Sequence, residues 1–481
     1  MKSKIFFLYM LIFILVSSPY AAILYTYPQD VMPKYMKVGS DVIGFCNDLI
    51  SELNKELRKD DIQIVYKSNN LYTVKEIFNA LEKNEIQIFV GAGYSQEREK
   101  SAKYIPLPLY GLREMFITKK GFSDKLLSLP VVKVGAIEGT LTSQRLPKLF
   151  GRTNVVNFKN LPEALSALDK NQIDTIFYSS LSLGYVINHN PEKYEAVKSL
   201  TEKYYHYIVL SNKVDKSLST KIEQAIKNLY LKNTIRKILE RYNIQGYVLA
   251  GNVVEVLSID WKPYEWFDPK DSKWKGIDVD TVKAVFSNLG FEVSYINLPW
   301  ERCLEAMKVG AYDGIMSLRI TKEREEYLIY PKEPLSTGVD VLWKMKNKNI
   351  DLSALYKIPK DTICAYTVGY AYGDWFWNGP FRKEPVPDDV TGFRLLKDGR
   401  IDLFVCNLLV GKELTKELGI QKDVVYSKNF NGKMIYYLAF SKNYHGAYLA
   451  EIFSSELKKF KKTNEYKSIL KSYGIDYNDL W

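Results

Sequence analysis

Apolar and polar positions alternate along this chain in two rhythms, and the clearest example runs from Leu298 to Leu335. Trp300, Cys303, Leu304 and Met307 recur at helical spacing, which predicts a helix with one buried face. Gly310 ends it, because glycine takes the left-handed cap conformation without a Cβ clash. Gly314 to Leu318 then reads as a buried strand, followed by a polar turn holding Arg319 and Thr321-Lys322-Glu323-Arg324. Ligands of open α/β sheets bind outside the carboxyl ends of strands, so this turn is where a binding arginine belongs.

The same rhythm occurs twice. Gly44 opens a helix with apolar Leu49, Leu53 and Leu57, and Gly276 opens another with Val282, Phe286 and Leu289. Glu97-Arg98 answers Glu323-Arg324, Ile173-Asp174 answers Ile401-Asp402, and Leu210-Ser211 answers Phe440-Ser441. The offsets, 232 at the glycines and then 226, 228 and 230, imply duplication of a whole domain, 23–248 and 252–481, with a short seam at Gly246 to Asn252. Within the first copy, Val131 to Ala136 and Ile173 to Tyr178 read as strands, and Leu161 to Leu168 and Lys221 to Leu239 as helices. Alternating strands and helices predict α/β lobes with mainly parallel sheets.

The order helix, Gly-x-x-Asp, strand, Thr-x-x-Arg, then aromatic and proline resembles the family 3 extracellular solute-binding proteins of bacteria. The resemblance covers nearly all of both copies. It implies two tandem two-lobed, periplasmic-binding-protein-like domains of the Venus-flytrap type II class, each with its ligand in the cleft. It also implies two chain crossings between lobes per copy, expected near Tyr110–Thr118 and Tyr204–Ser211, and near Thr337–Lys344 and Met434–Ser441.

By this resemblance Arg324 and Arg98 fall on the arginine that holds a ligand carboxylate, a role suited to the planar guanidinium fork. Gly139-Thr140 resembles the turn whose backbone N–H groups meet that carboxylate, and Gly369-Tyr370 stands there in the second copy. Asp260, Trp261 and Tyr264 follow the first strand of the second copy, where an aromatic wall is expected; Pro28 to Pro33 in the first copy matches that segment poorly. Family members that bind α-amino acids carry an aspartate where this chain has Ser179 and Asn407. With no acid there, and with Arg319 beside Arg324, the expected ligand is an anion such as a dicarboxylate or an acidic sugar.

The remaining composition narrows the classes. Lys2 and Lys4, an apolar run from Ile5 to Val16 and then Ser17-Ser18-Pro19-Tyr20-Ala21-Ala22 have the layout of a secretory signal peptide over 1–22, implying periplasmic export, although Pro19 or Tyr20 stands where the cleavage site usually has a small residue. No cysteine closely follows the run, so no lipid anchor is expected. The formal charge of +11 falls to +9 without Lys2 and Lys4, and the remaining lysines are interspersed with acids, so no nucleic-acid partner is expected. Cys46, Cys303, Cys364 and Cys406 sit in apolar contexts and read as buried thiols, although Cys364 and Cys406 could be strand neighbours. Three scattered histidines suggest neither a metal site nor a cofactor. Asp278 and Asp280 flank a helix start, where capping explains them. No catalytic constellation stands out. The expectation is therefore a monomeric, non-enzymatic binder of a small molecule, serving a membrane ABC permease. A sensor acting through a separate membrane partner, and a dehydratase-like or lytic enzyme of the same fold, are the alternatives.

Overall fold

The computed structural model describes residues 22–126, 128–149, 153–199, 201–428, 430 and 433–476. The signal-peptide reading falls on residues 1–21 and so lies outside the described residues, apart from Ala22. The described residues form two compact units: one holds those up to Ile105 and Ile208–Lys232, the other those of Pro106–Tyr207 and from Asn233 to residue 476. The unit boundary at Tyr207/Ile208 falls inside an expected crossing, while that at Ile105/Pro106 lies ahead of the other. The single helix expected over Lys221 to Leu239 is two, Lys216–Leu231 and Thr234–Arg241. Asn233, at φ 53, takes the left-handed conformation and breaks the run.

The second copy consists of two lobes. In the first lobe the strand order is Glu292–Asn297, Val253–Ser258, Gly314–Leu318, Met434–Ser441 and Leu328–Ile329, and Ser336–Gly338 also pairs with Met434–Ser441. The first three strands run parallel, and Met434–Ser441 runs antiparallel to them. The second lobe has the order Arg382–Val386, Ile363–Thr367, Leu403–Asn407, Asp340–Met345 and Val424–Tyr426. The outward crossing therefore lies between Gly338 and Asp340, as expected. The return lies between Tyr426 and Met434, just ahead of the expected segment.

The first copy repeats this plan. In the larger unit, Thr153–Phe158, Val132–Ile137 and Thr175–Ser179 are parallel, and Thr175–Ser179 pairs antiparallel with the strand Ala102–Lys119. In the smaller unit, Ala22–Thr26 runs parallel to Ile62–Tyr66. Helices pack on these sheets through the apolar stripes read from the sequence: Phe45–Leu57 buries Leu49, Leu53 and Leu57, and Ile277–Asn288 buries Val282 and Phe286. Both helices start at a glycine with positive φ. At Gly276 a Cβ would sit 2.1 Å from the Tyr264 carbonyl, so only glycine lets the helix start approach the aromatic segment. All four cysteines are buried, and none is in a disulfide. No helix among the described residues is long and apolar enough to cross a membrane.

Candidate functional site

The strand Gly314–Leu318 ends in a bulge at which Ser317 holds φ 55, and the chain then turns into the short helix Lys322–Glu325. Thr321 caps that helix by accepting from the Arg324 N–H, which fixes where the Arg324 side chain starts. The Arg324 guanidinium donates to the Arg319 carbonyl and to the Gly369 carbonyl, each at 2.8 Å, and lies over the Trp300 ring. Trp300 Nε1 also donates to the Gly369 carbonyl, at 2.9 Å. Arg319 donates to the Ala371 carbonyl and stands 3.6 Å from the Asp340 carboxylate. Arginines of the first lobe are thus bonded to the loop after the second lobe's strand Ile363–Thr367, and the cleft is closed.

Between the lobes lies an inner cavity of about 50 Å³, lined among others by Trp261, Trp300, Arg319, Asp340, Tyr370 and Tyr436. Arg324 and Asn407 also border it. Trp261 stacks on Tyr264 at 4.7 Å and meets Tyr436 edge-on at 5.2 Å. Tyr264, fully buried, sits beneath and donates its hydroxyl to the Thr337 carbonyl. Asp260 borders a larger outer groove of about 940 Å³ at the cleft mouth, where Lys262 and Glu417 pair at 2.6 Å. Five of the seven second-copy positions singled out from sequence therefore meet at one cavity; Tyr264 lies under it and Asp260 outside it.

Asn407 and Ser179 both cap helices. The Asn407 Oδ1 accepts from the Leu409 and Val410 N–H groups and caps a helix, while its Nδ2 donates to the Tyr436 hydroxyl. Ser179 caps the helix Ser180–His189 through the Leu181 N–H. A carboxylate faces each of them from the neighbouring strand. In register opposite Asn407 is Asp340, and opposite Ser179 is Glu114. Burial raises the Asp340 pKa to about 6 against the opposing pull of Arg319. Burial raises Glu114 to about 7, opposed by Arg145 at 3.1 Å, with Glu202 adding to the rise. The expectation that no acid faces the second cleft does not hold.

A further acid borders the inner cavity. Glu265 accepts from the Ser258 hydroxyl and the Ile259 N–H, and burial, reinforced by nearby Asp278, lifts its pKa to about 8. Asp278 does not cap its helix. It is buried, accepts from the Ser317 and Ser336 hydroxyls at 2.8 and 2.9 Å, and burial lifts its pKa to about 7. Asp389 accepts from Thr367 Oγ1 and Trp261 Nε1, and burial raises it to about 6. Asp340, Glu265 and Asp389 escaped the sequence reading because each comes from a different segment. Only the strand register opposite Asn407 could have pointed to Asp340.

In the first copy, Arg98 repeats the local geometry of Arg324. Ser95 accepts from its N–H, and its guanidinium donates at 3.2 Å to the carbonyl five residues back, Gly93, as Arg324 does to Arg319. It lies over the Phe78 ring. Arg98 belongs to the smaller unit, whereas Gly139, Thr140 and Ser179 belong to the larger one. Gly139 has φ 70, and the Thr140 hydroxyl donates to the Ile137 carbonyl and accepts from the Ser143 N–H, completing a strand-to-helix turn. The Pro28–Pro33 segment takes the turn of the second copy despite its poor sequence match. Phe45 and Cys46 N–H groups bond the Pro33 and Lys34 carbonyls as Ile277 and Asp278 bond those of Pro263 and Tyr264.

A family model described as bacterial extracellular solute-binding proteins, family 3, matches residues 25–245 and again 254–476. No curated protein matches the chain. Among solved structures, the periplasmic domain of BvgS from B. pertussis is 12% identical, with 96% of this chain and 92% of that one covered and a TM-score of 0.40. A histidine kinase sensor domain with similarity to periplasmic binding proteins is 19% identical, covering 46% of this chain and 95% of its own, at TM-score 0.41. Holo ArgBP from T. maritima is 22% identical, covering 46% and 96%, at TM-score 0.39.

Proposed function

The chain belongs to the bacterial extracellular solute-binding proteins of family 3, whose domain it carries twice, and on that premise we propose that its second copy captures a small polar solute bearing both an anionic and a cationic group. The observation behind this reading is the Arg319–Asp340 pair at 3.6 Å on the cavity wall, two opposite charges that an incoming solute could separate and pair anew. Arg319 and Arg324 are suited to a carboxylate, and Asp340 to an ammonium or guanidinium. A purely anionic ligand fits less well, because the Asp340 carboxylate borders the same cavity. The walls of Trp261, Trp300, Tyr370 and Tyr436 suit a compact solute held flat between rings. The captured solute would pass to a separate membrane partner, an ABC-type permease or a sensor, from a protein exported to the periplasm. Binding rather than turnover is the reading for both copies.

Calorimetry on the full chain with a panel of amino acids, dicarboxylates and neutral sugars tests this directly, with native mass spectrometry of freshly purified protein to identify any carried ligand. Binding of zwitterions that weakens in Asp340→Asn is expected. Tight binding of a dicarboxylate unaffected by Asp340→Asn would overturn the reading, and conversion of any panel member to product would make the protein an enzyme.

A further inference from the structure

A charge cluster with a buried Lys203–Asp313 pair and a half-buried Arg113–Glu255 pair joins the two copies inside the larger unit. Lys203, 2% exposed, donates to Asp313 at 2.6 Å and stands 3.0 Å from Glu255. The Tyr205 hydroxyl donates to the other Asp313 oxygen at 2.8 Å. Arg113 donates to Glu255 at 2.6 Å and to the Ala311 carbonyl, and lies over the Tyr312 ring. The Lys203 N–H donates to the Gly310 carbonyl at 2.9 Å. Behind the cluster His445 is buried against Tyr205, its ring nitrogens without hydrogen-bond partners. Two cations of the first copy meet two carboxylates of the second, so the cluster is neutral as a whole and its buried charges are paired. The strand Val248–Ala250 adds backbone pairing to residues 110–112.

The positions of these residues give the cluster its meaning. Arg113 and Lys203 lie on the two strands along which the chain passes between the units, at Ile105/Pro106 and Tyr207/Ile208. Asp313 immediately precedes Gly314, the start of the strand that leads to Arg319 and Arg324. The Gly-x-x-Asp turn at Gly310 to Asp313 is thus held by side chains of the other copy. We infer that the two copies are mechanically coupled through Lys203, Tyr205, Arg113 and Asp313, so that opening or closing the second cleft changes the crossing strands of the first copy. This goes beyond solute capture and needs no knowledge of the solute. A packed ion-pair cluster has few intermediate arrangements, which is the property coupling requires.

The test holds the second cleft in two states without a ligand. Lys262→Cys and Glu417→Cys, joined across the cleft mouth by a short bis-maleimide, lock it closed, and the buried native thiols should not compete. Arg319→Ala with Arg324→Ala unlatches it. Hydrogen–deuterium exchange of residues 106–113 and 203–207 is compared between the two forms, with residues 367–373 reporting that the cleft itself responded. Exchange at the crossing strands should differ at least about threefold between the forms when Lys203 is present. The difference should disappear with Lys203→Met, or shrink with Tyr205→Phe should Lys203→Met not fold. No difference in the parent protein while 367–373 responds, or an equal difference in both variants, would overturn the coupling.

Discussion

The two copies use one backbone turn to present opposite chemistry. Where the second copy has Tyr264, Glu265 and Asp278, the same hydrogen-bond pattern places Lys34, Tyr35 and Cys46 in the first. Lys34 is 3% exposed, donates to the Gly91 carbonyl at 2.6 Å and to Gln29, and lies over Phe89; burial lowers its pKa to about 8. The second copy has instead two buried carboxyls, held up at about 8 and 7 by burial. Duplication kept the apolar frame, which any similar side chain can fill. The polar groups beneath the aromatic segment differ: a buried lysine in the first copy and two buried carboxyls in the second.

The pH dependence of local stability should expose this difference most strongly. Glu265 and Asp278 keep their protons in the folded chain to about pH 8 and 7, whereas the unfolded chain releases them near 4. Their contribution is full below about pH 4 and is lost as pH rises to about 8, roughly 9 kcal/mol for the pair. Lys34 runs the other way. Its folded pKa is lowered, so stability rises between about pH 8 and 10.5, by roughly 3 kcal/mol. Hydrogen exchange at Val253–Ser258 and at Ile62–Tyr66 across pH 5 to 10 should show the opposite slopes. Glu265→Gln with Asp278→Asn should flatten the first and leave the second. Parallel slopes in the two strands would remove the contrast.

The next test asks whether stability divides as the sequence divides. Lys203→Met leaves Asp313 and Glu255 short of their buried cation and should cost about 3–5 kcal/mol. Because the cluster lies wholly in the larger unit, the loss should appear in residues 106–199 of the first copy together with the second copy, and spare residues 22–105. Urea unfolding followed by hydrogen exchange reads this out. A loss confined to either copy would mean that the repeats, not the units, are the cooperative blocks.

These differences show what was readable in advance. The strand Gly314–Leu318, the helix stop at Gly310 and the glycine starts at Gly44 and Gly276 follow from short-range patterns, and each is present. So are the positions of Arg324 and Arg98, because a capping residue three places earlier fixes both. Asp340 was not readable, since a lone acid at the start of an apolar strand has meaning only through its register with Asn407. Asp278 misled for a related reason: it sits where capping acids sit, yet its helix face turns inward toward Ser317 and Ser336. Local grammar identifies elements, whereas buried charges are decided by which distant segments meet.

A smaller effect should follow from the acid opposite Asn407. If Asp340 receives a cationic group, Asp340→Asn should weaken binding by about 2 kcal/mol, the worth of a hydrogen bond to a charged partner. Asn407→Asp, placing an acid opposite position 340 on the neighbouring strand, should recover part of that loss in the Asp340→Asn background. Calorimetry with the best solute from the panel measures both. Recovery would show that charge matters more than strand; none would show that Asn407 must remain a cap and a partner of Tyr436.

The smallest effect concerns the helices that lead into the two key strands. In the first copy Val74–Glu82 starts with a full capping box: Thr73 accepts from the Glu76 N–H, and the Glu76 carboxylate accepts from the Thr73 N–H at 2.7 Å. In the second copy Trp300–Lys308 starts at Pro299, which has no side-chain cap. Its first residue, Trp300, instead reaches the cleft and donates to the Gly369 carbonyl. The first copy therefore has a helix end optimised for stability, the second one given over to the cleft. Thr73→Ala should cost about 1 kcal/mol, the usual loss for an N-cap hydroxyl. Pro299→Ala should change stability by less than about 0.5 kcal/mol, because no capping bond is removed. Chemical denaturation of the two variants decides the matter. Equal losses would mean that the helix start in the second copy is held by something other than its cap, with the Trp300 contact across the cleft the first candidate to test by Trp300→Phe.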